Sequence, residues 1–319
     1  MKLPSACRAI FNHFADFAAA LPAASVVATP LAPAPYSAEL TLLRLKELVL
    51  MVGRSTPLMF TGCLNTGSAR IVLPLEKTEA LRVNGLMIRP GDMAVFEPGA
   101  GYDGVWFNEA NWASLVLPAA TLEALLEAPP HSAAGRAGAH TVLRANPTTW
   151  AEAVSLITAA RQVVLEDPEV LTVAEALRGL NADLLEALRD LFANAQRNDA
   201  ANADTIVAGR QHIVRALEDA LGADPQRTRS SKDLCAAIGV MPSRLRDAIE
   251  TSFGLELEDY LQLRRLAIEH TALRTAERLS AALEQGGSGG GVLDMDSFRH
   301  EPFERLCDAP APIAVPGTE

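Results

Sequence analysis

The sequence predicts an α+β chain: an antiparallel β-rich unit first, then helices, then an all-α unit containing a helix-turn-helix. Three observations carry this. From about Ser37 to Pro118, short runs of β-branched and apolar residues alternate with turn signals. After Leu117, apolar residues recur every three or four positions, the period of a helix packed on one face. Within residues 230–270, two short helical patterns flank a glycine turn. A chain of 319 residues is long enough for two such units and their linkers.

The β-rich region contains Leu48–Val52, Ala69–Leu75, Gly85–Ile88, Met93–Phe96 and Trp112–Leu117 as strand candidates. Asn84-Gly85, Pro90-Gly91-Asp92 and Pro98-Gly99 punctuate them, as expected for an antiparallel sheet or small barrel. Residues 1–36 are rich in Ala and Pro and read as an amphipathic helix or an ordered N-terminal arm. Phe11, Phe14 and Phe17 recur there at helical spacing, and Asn12, His13 and Asp16 interrupt the apolar centre that a secretory signal needs.

Helices are expected over Ala120–Leu126 and Thr149–Leu165, with a loop near Ala128–Ala139 between them. Thr172 with Glu175 has the spacing of a capping box opening a third helix. Leu177, Leu180, Leu184, Leu188 and Leu191 stripe that helix, either as core or as a dimer seam. Asn194–Ala203 reads as a linker. A further helix is expected from Thr205 to Leu221, stopping at Gly222. The division is therefore 1–36 arm, 37–196 β-rich unit with its C-terminal helices, 205–280 helix-turn-helix unit, and 281–319 Gly/Pro-rich tail.

Composition narrows the class. Apolar residues at 49% argue for ordinary cores. The 28 Lys+Arg against 39 Asp+Glu give net −11, so the whole chain is not a basic nucleic-acid coat. Locally the balance reverses: from Arg227 to Arg246, Arg227, Arg229, Lys232, Arg244 and Arg246 face one acid, Asp233. Four cysteines without a CxxC pair point to a reducing, cytoplasmic setting. No apolar run reaches the roughly 18–20 residues that span a membrane.

Residues 230–270 carry the most information. A helix starts near Ser231 and buries Leu234 and Ile238; Gly239 ends it in a conformation that glycine adopts readily. Pro242 opens a second helix where a missing N–H costs nothing. Its spacing buries Leu245, Ile249 and Phe253 and exposes Ser243, Arg244, Arg246, Asp247 and Glu250. In a helix-turn-helix, the second helix enters the major groove by its N-terminal residues. Ser243, Arg244 and Arg246 are the expected base readers, and Arg227, Arg229 and Lys232 the expected phosphate contacts.

This stretch resembles the first helix-turn-helix of the AraC/XylS family of bacterial transcription regulators. The matching residues are Leu234-Cys235, Gly239-Val240-Met241, Leu245, Ile249, Phe253-Gly254, Tyr260-Leu261 and Arg265-Leu266, without gaps. Three residues depart from the pattern. Met241 replaces a capping Ser, Leu257 a common Pro, and Asp247 a basic or polar reader. A linker helix is implied over Leu257–Arg278. The second helix-turn-helix is not evident, because residues 286–291 read Gly-Gly-Ser-Gly-Gly-Gly where a helix should stand.

The resemblance implies double-stranded DNA as partner, a small-molecule effector, a homodimer and contact with RNA polymerase. No membrane partner, cofactor or enzymatic activity is expected. It also implies a cupin-like sensor domain at the N-terminus. Gly91-Asp92 followed by Pro98-Gly99-Ala100-Gly101-Tyr102 resembles a cupin strand-turn motif, with Tyr102 where metal cupins often carry His. No His-x-His occurs, so a metal site is not expected. Phe96, Tyr102, Trp106 and Trp112 are candidates for barrel core or pocket lining. Gly99-Ala100-Gly101-Tyr102-Asp103-Gly104 also fits G-x-G-x-x-G, but Val105-Trp106-Phe107 continues as strand where a dinucleotide fold needs a helix. Two alternatives stay open: a metal-free cupin-like ligand-binding protein, and a defective regulator with an incomplete DNA-binding domain.

Overall fold

The computed structural model describes residues 6–32, 35–76, 78, 81–126, 140–197, 204–223 and 230–286. The strands are β1 (Ala6–Phe11), β2 (Ala24–Pro30), β3 (Ala38–Arg44), β4 (Val49–Ser55), β5 (Leu58–Leu64), β6 (Ser68–Pro74), β7 (Leu81–Val83), β8 (Leu86–Ile88), β9 (Asp92–Phe96), β10 (Gly101–Trp106), β11 (Ala110–Pro118), β12 (His140–Arg144) and β13 (Gln196–Arg197). The helices are α1 (Phe14–Ala19), α2 (Ala119–Leu126), α3 (Pro147–Glu166), α4 (Ala174–Ala193), α5 (Asp204–Ala223), α6 (Ser231–Ile238), α7 (Pro242–Phe253) and α8 (Leu257–Gly286).

The strands form two antiparallel sheets. One runs β1-β3-β4-β11-β6-β9-β12-β13 and the other β2-β5-β10-β7-β8. They face each other across an apolar interior, the double-sheet arrangement of cupins. The β7–β8 hairpin turns on Asn84 and Gly85, at φ 50° and 81°. Positive φ at both central residues is what a type I′ turn requires.

Most central strands are buried on both faces, so they read as apolar runs with little polar alternation. In β11, Trp112 and Val116 point into the barrel, while Ala113, Leu115 and Leu117 point outward. The outward side chains of the larger sheet meet α2, α3 and α4. The smaller sheet's outer face meets α5, α7 and α8 through Met59 and Val105.

Four expectations are corrected. Residues 6–30, read as part of an arm, contribute two strands and a short helix; β1 pairs with β3, and β2 with β5. Ala-rich composition hid these strands, which depend on long-range pairing more than on local propensity. The capping box at Thr172 does not form: α4 starts after Val173, and the Thr172 hydroxyl instead donates to Glu169 O at 2.7 Å. Helix α5 continues through Gly222 to Ala223. Helix α8 runs to Gly286, past the expected tail boundary at 281; residues 287–319 lie outside the described residues, as do 127–139 and 198–203. The α4 stripe is core: Leu184, Leu188 and Leu191 are buried against the larger sheet, with Leu177 and Leu180 at its margin.

Candidate nucleic-acid interface and barrel cavity

Helix α6 begins with a capping box that the sequence reading missed. The Ser230 hydroxyl accepts from Asp233 N at 3.2 Å, and Ser230 N donates back to Asp233 Oδ2 at 3.1 Å. Gly239 ends the helix at φ 71°, and its N–H donates to Cys235 O. Helix α7 then starts at Pro242. Met241 makes no side-chain capping bond and is 67% exposed.

Helix α7 divides as its spacing predicts. Leu245, Ala248, Ile249, Ser252 and Phe253 are buried, while Ser243, Arg244, Arg246, Asp247 and Glu250 are exposed. Lys232 is exposed on the first turn of α6. Ser243, Arg244, Arg246 and Lys232 are thus solvent-facing on one helix pair, and Asp247 shares that exposed surface. Arg227 and Arg229 lie outside the described residues. A helix that buries one face on its own protein and turns two guanidiniums outward can present them to an anionic polymer.

The second feature is a cavity between the sheets. Phe17, Phe60, Phe96, Tyr102, Trp106 and Trp112 line it, with Arg70 and Ser114 among them. It leaves about 60 Å³ for the centres of water-sized molecules. One water needs roughly 10–15 Å³ by that measure. The four aromatics singled out from sequence are therefore core and lining at once.

Arg70 is the exceptional residue. It is only 6% exposed. Its Nη2 donates to Pro22 O at 2.7 Å, and the guanidinium carbon lies 5.7 Å from the Tyr102 ring centre. Among the described residues no carboxylate pairs with it. Its Nε, the Trp112 indole Nε1 and the Ser114 hydroxyl have no hydrogen-bond partner. Burial pushes the Tyr102 hydroxyl up, and the nearby guanidinium opposes that shift. The cavity is thus an apolar chamber holding unsatisfied donors and one positive charge.

No protein-family model and no curated protein sequence matches the chain. Its fold is similar to solved structures at low identity. The AraC-like transcriptional activator CuxR is 16% identical, covering 82% of this chain and 94% of that one, with a TM-score of 0.43. ToxT from Vibrio cholerae O395, bound to (E)-4-(8-methylnaphthalen-1-yl)but-3-enoic acid, is 12% identical, covering 82% of this chain and 98% of that one, with a TM-score of 0.31. A putative ethanolamine utilization protein from Salmonella typhimurium is 18% identical over 26% of this chain and 70% of that one, with a TM-score of 0.23.

Sequence reasoning missed Arg70 because it sits inside Ser68–Pro74, an apolar run in which one arginine is easily read as outward-facing. The signal was available: in a strand buried on both faces, a cation has no solvent side to occupy. Among the described residues no group of three potential metal ligands clusters, and no helix is long and apolar enough to cross a membrane.

Proposed function

We propose that the chain is a DNA-binding transcription regulator with a helix-turn-helix reader, α6 and α7, and a barrel that takes a small-molecule effector. The observation that carries the reading is the division of α7. Its apolar face is seated against the protein, while Ser243, Arg244 and Arg246 remain exposed at its N-terminal end. That is the end which reads base edges in this motif. Arg244 and Arg246 are bidentate donors suited to guanine, Ser243 is a short polar reader, and Lys232 suits a phosphate. Arg227 and Arg229, just upstream of α6, complete the phosphate set in this reading.

The cavity supports the effector half. Arg70, Trp112 Nε1 and Ser114 Oγ present donors inside an aromatic chamber. Such a chamber suits a small organic acid with an apolar body, whose anion satisfies the buried guanidinium. A homodimer and contact with RNA polymerase belong to the same reading.

Fluorescence anisotropy against DNA from the gene's own upstream region, beside scrambled DNA and at two salt concentrations, tests it. Tight, salt-sensitive preference for the native DNA is expected. Arg246→Ala should weaken specific binding by about 1–3 kcal/mol and relax one base position. Equal affinity for scrambled DNA would overturn the reader assignment and favour the second reading, a metal-free ligand-binding protein, for which the cavity is the supporting observation.

A further inference from the structure

Helices α5 and α7 meet the barrel at strand β10, one wall of the cavity, and α8 meets it at β2, two strands away in the same sheet. Every residue of β10 is buried. Tyr102 and Trp106 line the cavity. Asp103 and Val105 alternate with them and face the helices. Val105 joins an apolar core with Leu217, Ile249 and Phe253. Asp103, on the same side of the strand, is a carboxylic acid in the middle of that packed layer and only 2% exposed.

Its surroundings form a cluster of donors. The Asn84 side chain accepts from Asp103 N at 2.8 Å. Arg210 of α5 donates to Asn84 O at 2.9 Å, and Gln211 donates to Gly101 O at 2.7 Å. Gly101 has no side chain, and the Arg215 guanidinium lies where one would be. Arg82 of β7 donates to Thr251 O of α7 at 3.2 Å. Yet Asp103 Oδ1, Arg210 Nε and Arg82 Nε are buried without partners. A junction with unsatisfied charged groups is where two layers separate most readily.

We propose that Asp103 controls an interdomain clamp: with its carboxyl neutral, the α5–α8 unit is held firmly on the barrel wall, and with it ionised, the unit is released more easily. The groups facing it are Arg210 and Arg215 from α5, Ser252 from α7, and Tyr260 from α8 with Glu218 and Arg264 beside it; its register partner on β5, Thr61, is uncharged. Burial dominates and raises the carboxyl to about 6, while Ser252, Arg210 and Arg215 pull the other way. Undocking returns it to water and to its ordinary value of 3.8. The docked state therefore binds the proton more tightly. The clamp is strongest below the ordinary carboxylate value and weakens as pH rises through about 6.

Hydrogen-exchange protection of amides in Thr251–Phe253 and β10, measured on the full chain from pH 5 to pH 8, tests this without DNA. Wild type should lose about tenfold in protection relative to Asp103→Asn across that range, and the asparagine variant should be the better protected at pH 8. Comparing wild type with Asp103→Asn cancels any pH dependence the two proteins share, including that of exchange chemistry itself. Ser252→Ala removes the first group that favours the charged form, so it should move the wild-type midpoint upward. It also keeps the test alive if Asp103→Asn does not fold. Parallel wild-type and Asp103→Asn profiles overturn the proposal, as does a midpoint that Ser252→Ala leaves unmoved.

Discussion

Helices cover both outer faces of the barrel, and the two coverings differ in kind. On the larger sheet, α3 and α4 lay down Ile157, Leu184, Leu188 and Leu191 against Leu50, Ile71 and Leu115. Polar contact there is sparse: the buried Asn181 side chain accepts from Glu47 N at 3.1 Å, and Arg161 of α3 pairs with Glu39 of β3 at 2.9 Å near the sheet's edge. On the smaller sheet, the apolar contact is interrupted by Asp103, Arg82, Arg210 and the Arg264–Glu218 pair. An apolar layer has no alternative state in water that it prefers. A layer of charged groups does, because water resolvates them on separation. The first covering belongs to the barrel as one body. The second is a docking surface between the barrel and the helical unit that carries α6 and α7.

The largest expected effect comes from the buried pair. Glu218 and Arg264 are 9% and 8% exposed, and Glu218 also accepts from the Tyr260 hydroxyl. Arg264 reaches across to Thr29 Oγ1 of β2 at 2.8 Å, so the pair braces both the helical unit and the joint. Glu218→Ala leaves a buried guanidinium alone and should cost about 3–5 kcal/mol. In denaturant the helical unit should then melt before the barrel, visible as two transitions by exchange of α7 and β11 amides. A single coincident transition would erase the distinction between the coverings.

Leu191→Ala probes the other face. Leu191 is fully buried, and its truncation should cost about 2–5 kcal/mol. Here barrel and α4 should lose protection together, with α7 following only as the barrel fails. Early loss confined to α4 would show that this covering is separable as well.

The two faces also differ in how far they could be read from sequence. The α7 pattern needed only local periodicity, and Leu245, Ile249 and Phe253 are buried where that period puts them. The strand runs Met93–Phe96 and Trp112–Leu117 were legible from local composition, as short apolar runs between turn signals. The first two strands were not, because β1 is defined by pairing with β3, about thirty residues on. The clamp was invisible because its members come from distant segments: Asp103 with Arg210, and Thr29 with Arg264. Each residue alone looks like an ordinary polar surface group, and only packing removes the water. The helix pair and its exposed face were therefore legible by residue, while the joint that holds it on the barrel was not.

Arg70 tests the same logic inside the barrel, with the smallest and oppositely signed effect. A buried guanidinium without a carboxylate is destabilising unless a ligand supplies the charge. Arg70→Met keeps much of the volume and removes the charge, so the unliganded protein should gain about 1–2 kcal/mol. Thermal unfolding with and without a panel of aromatic and aliphatic acids measures both sides. Wild type should be stabilised by an acid that fits, in proportion to the logarithm of its concentration. The methionine variant should start higher and respond to none. If Arg70→Met instead melts lower without ligand, the guanidinium is a structural strut through its bond to Pro22 O, and the chamber's charge serves the fold and not an effector.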